Sequence, residues 1–263
     1  MMSLRKRLSR RDFLYTVAGA GLGWVVLTAA GCATGKEAAR NRVPADPGEN
    51  IAREVAGGKA IALPASRLTG EMSLEAAVAG RRSERSFRAA PLKLEQLAQL
   101  LWAAQGITDP HPDPAQRFRR AAPSAGAQYP LDLYPVVGEI EGLEAGIYRY
   151  CPQEHALGLL TPGDRRRQLA RACLGQMFVA AAPVAVVITA TYDRITDRYG
   201  ERGIRYAHME VGHVGQNIHL QAEALGLGTV VVGAFQDEEV AEVLQLPRKE
   251  APLYVMPVGI IQS

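Results

Sequence analysis

The chain has 263 residues, 48% of them hydrophobic and 22% charged, which is enough to bury one large core. Its formal charge of +3 is concentrated at the start, where Arg5, Lys6, Arg7, Arg10 and Arg11 face only Asp12. The rest of the chain is therefore close to neutral, and the class of nucleic-acid binders, which carry a basic excess on the folded domain, is excluded.

In chain order the first element is an address. Basic residues 5–11 precede an apolar run from Phe13 to Ala30, and Ala29-Ala30-Gly31 leads to Cys32. Ser9-Arg10-Arg11-Asp12-Phe13-Leu14 resembles a twin-arginine export signal, and Leu27–Cys32 resembles a lipoprotein cleavage box. The expectation is export by the twin-arginine machinery, then lipidation of Cys32 and attachment to a membrane in the periplasm or at the cell surface. An uncleaved membrane helix is the plain alternative. Residues 33–70 are rich in Gly, Pro and charge with no sustained period and read as a flexible tether, which leaves 71–263 as the folded domain.

From Ser73 the texture changes. Ser73 is a good N-cap with Glu75 in the first turn, and Leu74, Ala77 and Val78 make a short apolar stripe. Leu94–Ala104 repeats leucines at helical spacing and ends at Gly106. Strands are expected at Leu131–Val137, Val184–Ala190, Thr229–Val232 and Leu253–Val258. A hairpin is expected with arms Gly146–Tyr150 and Ala156–Leu160. Further helices are expected over Asp164–Gly175 and Arg205–Leu225, the latter closed by Gly226. Interleaved helices and strands of this kind predict an α+β or mixed α/β domain.

The 205–225 helix carries Val211, Gly212, Gly215, Ile218, Ala222 and Leu225 on one expected face. Glycine is unfavourable within a helix, so a close backbone approach is expected there, from a second subunit or from within the chain. His208, His213 and His219 scatter around the helix and do not form a ligand set. Cys151 and Cys173 show no metal-site spacing, so no metal is expected, and a disulfide between them stays open.

Three segments can carry chemistry. Arg81-Arg82-Ser83-Glu84-Arg85-Ser86-Phe87 places three guanidiniums and a hydroxyl where they can clamp a phosphate, although arginine runs more commonly form a solvated face. Ala122-Pro123-Ser124-Ala125-Gly126-Ala127-Gln128-Tyr129-Pro130 is a loop of small residues, able to let backbone amides approach a flat ligand or simply to turn. Gly226–Phe235 ends a strand at Gly233-Ala234, where bare amides stand at its tip. No dinucleotide fingerprint, Walker loop, nucleophile elbow or zinc-protease motif is present in the sequence.

In order and spacing these segments resemble the nitroreductase superfamily, and within it the SagB-type dehydrogenases that oxidise azolines in modified peptides. The resemblance runs from about Leu63 to Gly259 and includes Leu100–Thr108, Arg198–Gly203 and His213–Asn217. It implies an α+β fold with a mixed sheet flanked by helices, and FMN at a homodimer interface. It further implies that Arg81, Arg82, Ser83 and Arg85 take the phosphate and ribityl positions. Pro123, Ser124, Ala125 and Gly126 would line the flavin, and Gly233 and Ala234 would present amides to its ring. The family's Lys-Tyr pair corresponds to Arg198-Tyr199, and a guanidinium does not act as a base in proteins, so Tyr199 is the candidate catalytic residue.

Two further departures bear on the site. Ala127 stands where many nitroreductases have asparagine, and the family's basic C-terminal tail has no counterpart after Gly259. The arginines at 81–85 then hold the phosphate largely alone, or Arg117, Arg119, Arg120 or Arg248 helps. The expected activity is FMN-dependent hydride transfer to or from a small-molecule or peptide substrate. The alternatives are an NAD(P)H-dependent nitroreductase, poorly placed outside the cytoplasm, and a flavin-binding accessory lipoprotein without turnover.

Overall fold

A computed structural model describes residues 60–109 and 118–262. The export signal, Cys32 and the tether up to residue 59 lie outside the described residues.

In chain order the described elements are β1 (Ala60–Ala62), α1 (Leu74–Gly80), α2 (Leu94–Gln105), β2 (Ile107–Asp109) and β3 (Arg119–Arg120). A 3-10 turn at Ala125–Ala127 leads into β4 (Leu131–Val137), β5 (Gly146–Cys151) and β6 (Ala156–Pro162). Then come α3 (Arg166–Ala172), α4 (Phe178–Ala181), β7 (Val184–Thr191), α5 (Asp193–Tyr199) and α6 (Arg202–Ala224). The chain finishes with β8 (Leu227–Thr229), α7 (Asp237–Leu244) and β9 (Glu250–Ile260). β1 falls in the stretch read as tether and forms the sheet edge beside β6.

Seven strands form one sheet in the order β1-β6-β5-β4-β7-β9-β8, with every ladder antiparallel. Parallel pairing, expected of a mixed sheet, is confined among the described residues to isolated bridges such as Ser83 with Thr229. Both faces of the sheet are covered. Val184, Val186 and Ile188 face one core with Leu97, Leu100 and Leu101 of α2 and Val214 and Ile218 of α6. Ala185 and Val187, the alternate residues of β7, face a second core with Leu169 of α3, Val179 of α4 and Val240 and Leu244 of α7. That is why β7 reads as a continuous apolar run and not as an alternating one. Each fully buried aliphatic side chain contributes ~1.5–3 kcal/mol through lost water contact.

Several sequence expectations change in detail. The stripe on α1 is largely uncovered: Ala77 is buried, but Leu74 and Val78 are 64% and 55% exposed. The supposed glycine face of α6 splits in two. Gly215 faces inward, 3.5 Å from the Tyr254 ring for an added β-carbon, whereas Gly212 looks outward into open space. The close approach at Gly215 is therefore made within the chain. Gly106 ends α2 at φ −61, so left-handed geometry is not its purpose. A β-carbon there would overlap the Trp102 side chain, and glycine is required for space. The last strand before Gly233 is Leu227–Thr229, earlier than expected, and Val232 rejoins β9 only through a bridge to Val255.

Candidate functional site

The basic turn follows α1 directly. Ser73 caps the helix by accepting from the Ala76 N–H at 3.1 Å. A β-carbon on Gly80 would overlap the Glu223 carboxylate, so glycine lets the end of α1 sit against α6. Arg82 turns back on the helix end, and its Nη1 donates to the carbonyls of Ala79, Gly80 and Arg81 at 2.8, 3.1 and 2.9 Å. A cation there complements the negative end of the helix dipole, so this Arg82 conformer holds the turn. The side chains of Arg81 and Ser83 make no hydrogen bond among the described residues. Backbone contacts fix them instead: Ser83 bridges Thr229, and the Glu84 N–H donates to the Thr229 carbonyl at 2.9 Å.

The Gly233-Ala234 tip shares a neighbourhood with this turn. The Arg85 guanidinium lies 5.9 Å from the centre of the Phe178 ring, and two residues earlier Gln176 Nε2 donates to the Ala234 carbonyl at 2.8 Å. Gly233 and Ala234 are exposed, and a β-carbon on Gly233 would meet nothing within 4 Å. Beside Arg81, His219 is buried with Nδ1 unpartnered. Burial, reinforced by the Arg81 charge, pulls its pKa down to about 4, so its imidazole is neutral.

The small-residue loop is a second assembly. Ser124 Oγ accepts from the Tyr129 N–H at 2.9 Å, and Gln128 Nε2 donates to the Gly126 carbonyl at 2.8 Å. Gly126, Ala127 and Tyr129 all take left-handed backbone, at φ 59, 52 and 48. For the two non-glycine residues that conformation costs ~1–2 kcal/mol each. An asparagine at position 127 would be less strained there than this alanine. Pro123 is exposed, and Ser124 and Ala125 are half-buried. Gly126 faces Arg198-Tyr199: an added β-carbon would overlap the Tyr199 hydroxyl and come within 3.3 Å of the Arg198 guanidinium. The structure thus brings the candidate catalytic residue onto the candidate flavin loop.

Tyr199 ends α5, a helix the sequence reading did not identify because only Ile195 in it is buried. Long-range ties hold α5. Arg194 Nη2 stands 2.8 Å from Asp132 Oδ2, and Arg149 Nη2 stands 2.9 Å from Oδ1. Burial alone would raise the pKa of Asp132, but these two charges overcome it and hold the carboxyl below its ordinary range. The Arg194 contact is an ion pair without good hydrogen-bond geometry. Tyr192 Oη lies 2.8 Å from His208 Nε2, and the Tyr199 and Tyr206 rings meet edge to face at 5.2 Å.

Beneath the loop lies a residue that sequence reasoning missed. Glu210 of α6 is 2% exposed, and neither carboxyl oxygen has a hydrogen-bond partner among the described residues. Its neighbours are Ser124, Gln105 and Arg120, and burial, the dominant influence, raises its pKa to about 7. A signal was available: Glu210 stands three residues after Ala207 and four before Val214, on the inward stripe of the helix. Arg120 donates to Gln105 Oε1 at 3.3 Å and stacks 4.5 Å from the Tyr129 ring, while Arg119 pairs with Asp109 at 3.6 Å. Cys151 and Cys173 are free thiols, and burial pushes Cys173 up to about 12. No group of three or more metal-ligating side chains occurs among the described residues.

An antiparallel sheet between two helical layers defines the class as an α+β fold, and a basic turn near a bare Gly-Ala tip with a small-residue loop faced by a tyrosine marks its candidate site. The profile of the nitroreductase family matches residues 78–260, and the chain belongs to that family. A protein of Methanocaldococcus jannaschii named as a nitroreductase is 47% identical over 189 residues, 72% of this chain and 91% of that one. The microcin B17-processing protein of Escherichia coli is 30% identical over 158 residues, 58% of each chain. The trifolitoxin-processing protein of Rhizobium leguminosarum bv. trifolii is 34% identical over 117 residues, 43% of this chain and 31% of that protein. Among solved structures, a nitroreductase from Ralstonia eutropha superposes with a TM-score of 0.66 at 31% identity, covering 78% of this chain and 90% of that one. The Escherichia coli microcin synthetase complex with truncated pro-MccB17 bound contains a chain with a TM-score of 0.58 at 26% identity, covering 86% of both.

Proposed function

We propose that the protein is an FMN-dependent oxidoreductase of the SagB-type dehydrogenase kind, active as a homodimer on a small-molecule or peptide substrate. The observation that carries this reading is the uncommitted polar end of Arg81 and Ser83, fixed by backbone contacts to Thr229 in the turn whose Arg85 reaches the Phe178 ring, two residues from the Gln176 that bonds the open Gly233-Ala234 tip. The residues present fit FMN. Arg81, Ser83 and Arg85 would hold its phosphate and ribityl chain, with Arg82 bracing their turn. Gly233 and Ala234 would present backbone to the ring, and Pro123, Ser124, Ala125 and Gly126 would line it. Bound FMN would supply hydride transfer at N5.

The contacts that place these residues fall into two groups, the turn with the Gly-Ala tip and the loop with Tyr199. A two-fold dimer would join the first group of one protomer to the second of its partner. Support comes from apolar residues turned outward: Leu74 and Val78 on α1, and Ile204 and Met209 on α6 beside the open Gly212. Tyr199 would then hold or release the proton that accompanies hydride transfer, with Arg198 fixing substrate charge. The names of the two peptide-processing relatives support a peptide substrate. The Methanocaldococcus relative, named as a nitroreductase, favours a second reading as a nitroreductase, for which we take NAD(P)H as the donor. Delivery by the twin-arginine machinery and lipid attachment at Cys32, outside the described residues, complete the proposal. The test is the visible absorption spectrum of the purified protein, followed by bleaching with candidate donors. A flavin spectrum bleached by a peptide azoline and not by NAD(P)H supports the first reading, and a colourless folded protein that takes up no FMN refutes both.

A further inference from the structure

We propose that Glu210 is a positioning residue for the flavin loop: its protonated carboxyl fits the closed space beneath Ser124, and its ionisation loosens the loop and weakens flavin binding. The inference rests on the flavin reading of the 122–129 loop. Glu210 is 2% exposed with both oxygens unpartnered, and Gln105 Nε2 beside it is likewise buried and unpartnered. A neutral acid at that place is tolerable, whereas a buried carboxylate whose donors, Ser124 and Gln105, fall short of good hydrogen-bond geometry is costly.

The ionisable groups facing Glu210 are few. Arg120, on β3, contributes attraction, but its guanidinium is stacked on Tyr129 and bonded to Gln105. Tyr129 is half-buried, and burial raises its own pKa, so it stays a neutral phenol. Ser124 and Gln105 are uncharged donors close enough to favour a carboxylate, but burial outweighs them and Arg120 together. Charge on Glu210 is therefore incompletely compensated in place, and solvation from outside is the remaining relief. The loop supplies Ser124 to the surroundings of Glu210, and it is pinned by the Ser124–Tyr129 bond and carries two strained non-glycine residues. Charge on Glu210 therefore favours opening of a segment that already carries backbone strain. Since Pro123 to Gly126 line the proposed flavin ring, opening there lowers affinity.

The test compares FMN affinity of the full-length wild type and Glu210→Gln between pH 5.5 and 8.5, by fluorescence titration of the apoprotein. FMN's phosphate titrates in the same range, but equally for both proteins, so the ratio of dissociation constants isolates Glu210. Wild type is expected to bind as well as Glu210→Gln at pH 5.5 and about tenfold more weakly at pH 8.5, the size of a one-unit difference in pKa between free and loaded protein. Amide hydrogen exchange over residues 122–129 of apoprotein, corrected for the intrinsic pH dependence, is the second readout. Protection is expected to fall with rising pH in wild type and to stay level in Glu210→Gln. A ratio that does not change with pH, or equal protection in both proteins, overturns the role of Glu210. Loop protection that changes as expected in a protein that binds no FMN at any pH overturns the flavin reading instead.

Discussion

The Tyr199 hydroxyl occupies the space that a side chain on Gly126 would need, so the turn and the tyrosine fix one another. Gly126 is also in the left-handed region at φ 59, so alanine there meets both backbone strain and overlap. Gly126→Ala is expected to lose ~1–3 kcal/mol in urea denaturation. Tyr199→Phe removes the overlapping oxygen. The double variant should then recover part of that loss, and the coupling should exceed ~0.5 kcal/mol. In turnover assays, Tyr199→Phe alone should lower kcat with flavin affinity nearly unchanged.

α5 is held by a buried ion-pair cluster. Asp132 is buried between Arg149 and Arg194, and removing one partner leaves charge without compensation. Arg149→Ala and Arg194→Ala are each expected to cost ~3–5 kcal/mol, read by chemical denaturation. Asp132 has its carboxyl pKa depressed, so this contribution is present above the unfolded value near 3.8 and fades as pH falls through the lower folded value. Arg194→Ala should also impair turnover more than Arg149→Ala, because only Arg194 belongs to the helix that carries Tyr199.

Glu210 gives the opposite pH dependence. Its pKa is raised from 4.5 to about 7, so the folded state binds the proton more tightly than the unfolded chain. Its contribution is complete below 4.5 and is lost as pH rises through about 7. A rise of that size corresponds to a penalty of ~3 kcal/mol above that pH. Glu210→Gln should therefore be near neutral for stability at pH 5 and stabilising by up to ~3 kcal/mol at pH 8, as measured by urea denaturation at the two pH values.

Assembly is tested on the outward face of α6. Met209 is 54% exposed and Ile204 39%, and a dimer would cover them. Light scattering is expected to report twice the chain mass for wild type. Met209→Glu should shift it to the chain mass and reduce FMN affinity in parallel. A flavin-loaded monomer would contradict a site shared between protomers.

Much of the frame was legible because it rests on local patterns. Leu131–Val137 and Val184–Thr191 are branched apolar runs long enough to show a strand buried on both faces. Leu94–Gln105 and Arg202–Ala224 repeat apolar residues at helical spacing over three or more turns. Short α5 and α7 were missed because they bury one and two residues respectively, too few to show a period. The glycine face of α6 was misjudged because composition does not say which glycine turns inward. In the site, the basic turn and the small-residue loop stood out as motifs. The partners that give them meaning did not: Asp132 and Arg194 are 62 positions apart, and Glu210 lies far in sequence from Ser124. Only the fold brings such pairs together, so their chemistry was invisible in a linear reading.

Fluorescence titration of apoprotein with FMN and with riboflavin measures directly whether the turn at 81–85 grips the phosphate of FMN. Each hydrogen bond to a charged group contributes ~1.5–3 kcal/mol, and ~1.4 kcal/mol is a tenfold change in affinity. Arg81→Ala and Arg85→Ala are each expected to weaken FMN about tenfold or more while leaving riboflavin, which lacks the phosphate, nearly unaffected. Equal losses for both ligands would show that these arginines support the fold and not the phosphate. Failure of well-folded wild type to bind either flavin would contradict the cofactor assignment itself.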